Sequence, residues 1–137
     1  MKRFNLFFKT KKEYGAIFLR LIIGWRLIAG VWPMVSHKQF MGGTVDYFTQ
    51  LHLAFPEFSA YLAVYAEFTC AVLFIIGLWM RPAALLMVIN FTVAIAAAHL
   101  HESIVSSFSA WAIWAGSIFL LFNGAGRFSI DRFLAQD

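Results

Sequence analysis

Two arginines and a glutamate stand inside stretches that are otherwise apolar. Arg20 and Arg26 fall in the run 14–35, Glu67 in the run 58–79, and the neutral Asn90 in the run 82–99. An arginine at the centre of a membrane helix costs roughly 2.5–3.5 kcal/mol, so ionisable groups there pair with one another or mark a site. Counting 1.5 Å per residue from one membrane face puts Arg26 and Glu67 both about 18 Å deep, Asn90 about 12 Å and Arg20 about 9 Å. Arg26 and Glu67 are therefore level, and the spacing predicts that they pair. Arg20 can lean its head toward the nearer headgroups. The six residues between the arginines turn a helix by about 240°, so the two do not share a face. The chemistry is that of a ligand, proton or quinone site, or of a buried pair that only fixes helix register.

Histidine gives a second pattern. His37, His52, His99 and His101 all fall at the other ends of the apolar runs, alongside Asp46, Glu57 and Glu102. An H-x-H at a helix end does not put both rings on one face, so these read as interfacial polar residues and no metal site is assigned. His99 lies closest to the mouth of the bundle.

The elements that must position these groups are legible in the composition. The 137 residues are 61% hydrophobic and 13% charged, against about 45–50% and about 25% in soluble domains. So few charges cannot cover a soluble surface, and the chain reads as an integral membrane protein of a single domain, 1–137. Five of its eleven Lys/Arg lie in MKRFNLFFKTKK. Beside a hydrophobic helix, that segment is a topogenic signal and an anionic-lipid contact, and nucleic acid is excluded as a partner. The run that follows exceeds the usual 7–15 residues of a signal-peptide core and lacks an A-x-A-like site, so it is kept as the first span. The lone cysteine, Cys70, excludes an intramolecular disulfide and a cysteine cluster and reads as a small packing residue.

Four spans emerge, at about 14–35, 58–79, 82–99 and 108–122, which predict an all-α, antiparallel four-helix bundle. The fourth is short and draws on Ser106, Ser107 and Asn123. One side of the membrane receives Lys2, Arg3, Lys9, Lys11, Lys12, Arg81, Arg127 and Arg132, the other Lys38 alone. By the positive-inside rule both termini are cytoplasmic, as in a multi-pass protein of the cell inner membrane. The first external stretch, 36–57, carries Val45, Phe48, Leu51 and Phe55 at helical spacing after Gly42-Gly43. It reads either as a short amphipathic segment folded over the bundle mouth or as an irregular loop. Small residues line one face of three helices: Ala60, Ala63 and Ala71 with Glu67; Ala94 and Ala98 with Asn90; Ser109, Ala112 and Gly116. On the first helix, Gly30 follows Arg26 and is expected to let a neighbouring helix approach.

Several blocks, in order, resemble the DoxX family, which is related to DoxD, the small subunit of thiosulfate:quinone oxidoreductase. They are FLRLIIGW (18–25), YLAVYAEFTCAVLFIIGLWMRPAALL (61–86), VAIAAAHL (93–100) and GAGRFSID (124–131). The family's Leu-Arg-Leu falls on Leu19-Arg20-Leu21, its Ala-Glu on Ala66-Glu67, its Gly-Leu-x-x-Arg on Gly77 to Arg81 and its Gly-x-Gly-Arg on Gly124 to Arg127. Many relatives carry a His-Gly where this chain has Ala29-Gly30, and an apolar residue in place of Arg26. The resemblance implies a four-helix membrane protein associated with redox or sulfur metabolism.

Residues and resemblance together give one leading expectation, a membrane subunit of a quinone-linked oxidoreductase. Glu67 and His99 are its proton-exchanging, catalytic candidates, and Arg20, Arg26 and Asn90 its ligand-binding ones. No haem-attachment motif, cysteine cluster or dinucleotide fingerprint is present, so no intrinsic cofactor is expected beyond a bound quinone. The electrons then come from a redox partner subunit. The alternatives are a non-catalytic membrane anchor or assembly protein, and a small transporter or ligand carrier, for which a homo-oligomer is expected. Catalysis by the chain itself is left open.

Overall fold

The computed structural model describes residues 12–99, 103–126 and 129–134. The basic segment 1–11, His101, Glu102 and Arg127 lie outside the described residues, as do the side chains of His99 and Arg132. Every described element is helical: α1 (Lys12–Ser36), α2 (Lys38–Gln50), α3 (Pro56–Ile76), α4 (Met80–Ala94), α5 (Ile104–Asn123) and the short α6 (Ile130–Leu134). A π-helical turn, Ile95–His99, continues α4. Three helices are long and apolar enough to cross a membrane, over Tyr14–Ser36, Pro56–Ile76 and Met80–Ala98; the apolar part of α5 is shorter, Ser107–Asn123. With large exposed apolar side chains along these helices, the chain is a multi-pass membrane protein.

The 3.6-residue period divides α1 cleanly. Ala16, Arg20, Ile23, Leu27 and Val31 are buried, while Phe18, Ile22, Trp25 and Trp32 on the opposite face are exposed. Two glycines set how closely the neighbours approach. A β-carbon on Gly24 would lie 2.8 Å from Ile75 Cγ1 and 3.0 Å from the Ala71 carbonyl oxygen, so α1 and α3 meet backbone to backbone. A β-carbon on Gly116 of α5 would run into the Ile23 side chain of α1. The buried face of α5 is Ala110, Ile113, Ser117 and Leu120, with Gly116 beside it. The expected stripe through Ala112 is therefore displaced, and Ala112 is exposed, because the helix is rotated toward α4.

The turn between α3 and α4 is held from a distance. Gly77 (φ 72°) ends α3 and Trp79 (φ 48°) precedes α4, both left-handed. The Asp131 carboxylate accepts the Trp79 and Met80 N–H groups at 2.7 and 2.9 Å, and the Asp131 N–H donates to the Gly77 carbonyl at 3.1 Å. Asp131 thus caps α4 from 51 residues away in sequence. Arg20 completes this clasp: it is 5% exposed, and its Nη1 donates to the Ala125 carbonyl at 2.8 Å. The expectation that Arg20 leans out to headgroups is corrected here. A carbonyl freed by the Gly124–Gly126 turn lies within reach, and bonding it buries the charge instead.

At the other end, Lys38–Gln50 of the 36–57 stretch is a helix, whereas 51–55 is turn, so Leu51 and Phe55 of the expected pattern lie beyond it and Phe55 is exposed. The helix begins earlier than the pattern at 44–55 suggests, and Gly42-Gly43 lie inside it. Met41, buried against Val31 and Val64, anchors α2 onto α1 and α3. Docking thus outweighs the low helix propensity of the glycines. The next helix, α3, opens on Pro56, which suits a first helical position, and Phe55 before it is left-handed at φ 50°.

The clasp makes a quantitative prediction. Asp131→Ala removes both N–H acceptors at α4 and should destabilise the protein by about 1–2 kcal/mol. The check is a lowered unfolding midpoint in detergent, with Asp131→Asn falling between that variant and the parent.

Candidate functional site

Beneath α2, the four long helices separate around a cavity of about 720 Å³. α1 contributes Arg26, Gly30 and Met34; α3 contributes Ala63, Val64 and Glu67; α4 contributes Phe91 and Ala94; α5 contributes Ser107, Ser109, Ala110 and Ile113. α2 closes it from above with Gln39, Phe40, Thr44, Tyr47 and Phe48. The small residues at 30, 63, 94 and 109 explain why space exists: side chains of one carbon or fewer do not fill the gap between helix axes 8–10 Å apart or more. On the clasp side of the lining residues Leu27 and Ile113, α1 and α5 close up at the Ile23–Gly116 contact.

The two charged residues that depth counting places level, Arg26 and Glu67, share this cavity. Their relation differs from the predicted pair. Glu67 Oε1 accepts a hydrogen bond from Asn90 Nδ2 at 2.8 Å, linking α3 to α4, and Arg26 acts on the carboxylate electrostatically. The Arg26 guanidinium instead lies back along its own helix. Its Nη1 is 3.0 Å from where a β-carbon on Gly30 would stand. Gly30 therefore makes room for Arg26, not for a neighbouring helix. The i, i+4 spacing brings this about, since side chains four apart lie over one another.

The other candidates divide. Asn90 is brought to the site through Glu67. Arg20 is not; it belongs to the clasp, on the face of α1 turned about 240° from Arg26. His99 ends the π-helical turn that follows the cavity-lining Ala94, and its side chain lies outside the described residues. Such wide turns recur at functional sites in helices. Among the described residues, no group of three or more His, Cys, Asp or Glu side chains could hold a metal ion.

Sequence reasoning missed the polar residues of the lid, Gln39, Thr44 and Tyr47, and also Ser107. Ser107 is 2% exposed and donates to the Ser103 carbonyl at 3.0 Å. The signal for the lid was present, because the 3.6-residue period through Phe40, Thr44 and Tyr47 extends the apolar pattern upstream past the glycines. Ser107 carried none, being one serine among several.

The sequence model of the DoxX family matches residues 15–100, well over half of the chain, and the chain belongs to that family. No curated protein and no solved structure matches it. The matched region holds Arg26, Glu67 and Asn90, three of the polar groups at this cavity.

The Glu67–Asn90 bond can be weighed by a double-mutant cycle. Glu67→Leu leaves the Asn90 amide without its partner and should cost about 1–3 kcal/mol. Glu67→Leu with Asn90→Leu should recover part of that loss. A coupling of about 0.5–1.5 kcal/mol in the unfolding free energy is the expected outcome.

Proposed function

We propose that this DoxX-family chain is a membrane subunit serving a quinone-linked oxidoreductase and that the cavity beneath α2 receives the quinone head group. The observation that supports this most is an apolar chamber of about 720 Å³ with one guanidinium and one carboxylate on its wall. A quinone is an amphiphile with two carbonyl oxygens on a flat apolar ring. Phe40, Phe48, Phe91 and Ile113 supply apolar wall for the ring, and Arg26 donates to a carbonyl oxygen. The guanidinium stabilises the negative charge that grows on that oxygen during reduction. Glu67, held by Asn90, and His99, at the end of the adjoining π turn, exchange the accompanying protons. Electrons arrive from a redox partner subunit.

The arginine and lysine distribution supports an orientation with both termini cytoplasmic and four crossings, α5 making the last, in the inner membrane. The clasp then faces the cytoplasm, and α2 with the cavity lies toward the outer leaflet. A second reading is a membrane anchor in which the polar interior only joins helices. The Glu67–Asn90 bond between α3 and α4 favours it, because such a bond stabilises a bundle whether or not a ligand binds.

The two readings separate on ligand binding. The purified protein should bind a short-chain ubiquinone or menaquinone analogue, and Arg26→Leu should weaken that binding about 10–100-fold through loss of a hydrogen bond from a charged donor. Ala63→Trp, which fills the chamber, should abolish it. Titration by fluorescence quenching of the chain's tryptophans checks both. Unchanged affinity in the two variants, with unchanged unfolding midpoints, would leave the anchor reading standing.

A further inference from the structure

A second recess lies at the clasp end, on the outer side of the α3–α4 turn. It has about 760 Å³ of space between Trp79, Met80, Arg81 and Pro82 on one side and Gly124–Gly126, Ser129 and Asp131 on the other. Among the described residues, the one cationic group in this lining is Arg81. Arg81 is exposed and, among the described residues, holds no hydrogen bond or ion pair. The one anionic group among them is already engaged: Asp131 receives the Trp79 and Met80 N–H groups and lies beside the Arg20 charge. The recess therefore presents an unspent positive charge, and the first N–H groups of α4 are not available to share in binding.

What surrounds it specifies the partner. Trp79, which lines the recess, is 67% exposed. Phe122 and Phe133, within two residues in sequence of the lining Gly124 and Asp131, are 75% and 73% exposed, so aromatic side chains stand free where the apolar helices end. Aromatic rims of this kind sit at headgroup level. Ile130 and Leu134 of α6 are exposed as well, which lays that short helix along a membrane surface rather than in water. We propose that this recess binds the phosphate of an anionic phospholipid, with Arg81 as its hydrogen-bond donor and Trp79 against the glycerol and upper acyl region. A free anion satisfies Arg81 but not the apolar rim, and a zwitterionic lipid brings a phosphate whose charge its own ammonium group offsets.

The test uses the full-length protein in phosphatidylcholine nanodiscs carrying increasing fractions of phosphatidylglycerol, with retained lipid counted by native mass spectrometry. The parent should retain phosphatidylglycerol over phosphatidylcholine, and Arg81→Gln should lower that preference about fivefold, the contribution of one arginine at an anionic surface. Lys38→Gln, at the opposite end, should leave it unchanged. The Arg81 contribution should fall as salt is raised toward 0.5 M. Equal preference in Arg81→Gln and the parent would overturn the proposal, as would glycerol phosphate displacing the lipid at equal concentration. Should Arg81→Gln unfold, Trp79→Ala serves in its place, with loss of phosphatidylglycerol retention expected and full retention contrary to the proposal.

Discussion

The Arg20 guanidinium, buried at one end of the bundle and bonded to the Ala125 carbonyl, is the interaction on which the architecture depends. In hydrocarbon a charged group must find its partners within the protein. Here the partners come from the far end of the chain, because Ala125 lies 105 residues beyond Arg20. The same segment returns Asp131 to cap α4 and to bond the Gly77 carbonyl. A β-carbon on Gly77 would collide with the Arg20 guanidinium, so the turn residue and the arginine require each other. One buried charge thereby ties α1, the α3–α4 turn and the post-α5 segment into a single unit.

The opposite end is built on another principle. There, small residues at 30, 63, 94 and 109 keep the helices from filling the space between them, and α2 covers what remains. Arg26 is not consumed by the fold as Arg20 is. It lies along its own helix, remains exposed, and lines the chamber that it shares with Glu67. Two arginines six residues apart thus perform opposite tasks, one joining elements and the other lining a space. The helical turn between them decides which does which.

Much of this was legible beforehand. Runs of apolar residues located the long helices to within a few residues, and depth counting brought Arg26 and Glu67 to one chamber. The 240° separation of the arginines also held. What pattern could not supply was partner choice. Glu67 has Arg26 and Asn90 near in depth, and only the rotation of α4 about its axis decides for Asn90. Arg20 was misread for a related reason, since its partner is a backbone carbonyl, which no residue type announces. The start of α2 escaped notice because glycine pairs ordinarily break helices, whereas burial of Met41 stabilises this one. The motifs that resemble the family signalled kinship; in the structure Arg20, Gly77 and Ala125 meet in one clasp, which shows what at least Arg20 and Gly77 are for.

Gly30 governs more than its own turn of α1. The Arg26 guanidinium lies over it, with Nη1 3.0 Å from where a β-carbon would stand. That nitrogen ends a long, flexible side chain, so a larger residue at 30 would displace the guanidinium rather than the helix. Position 30 therefore steers a charge it does not itself carry, setting where along α1 the cation comes to rest.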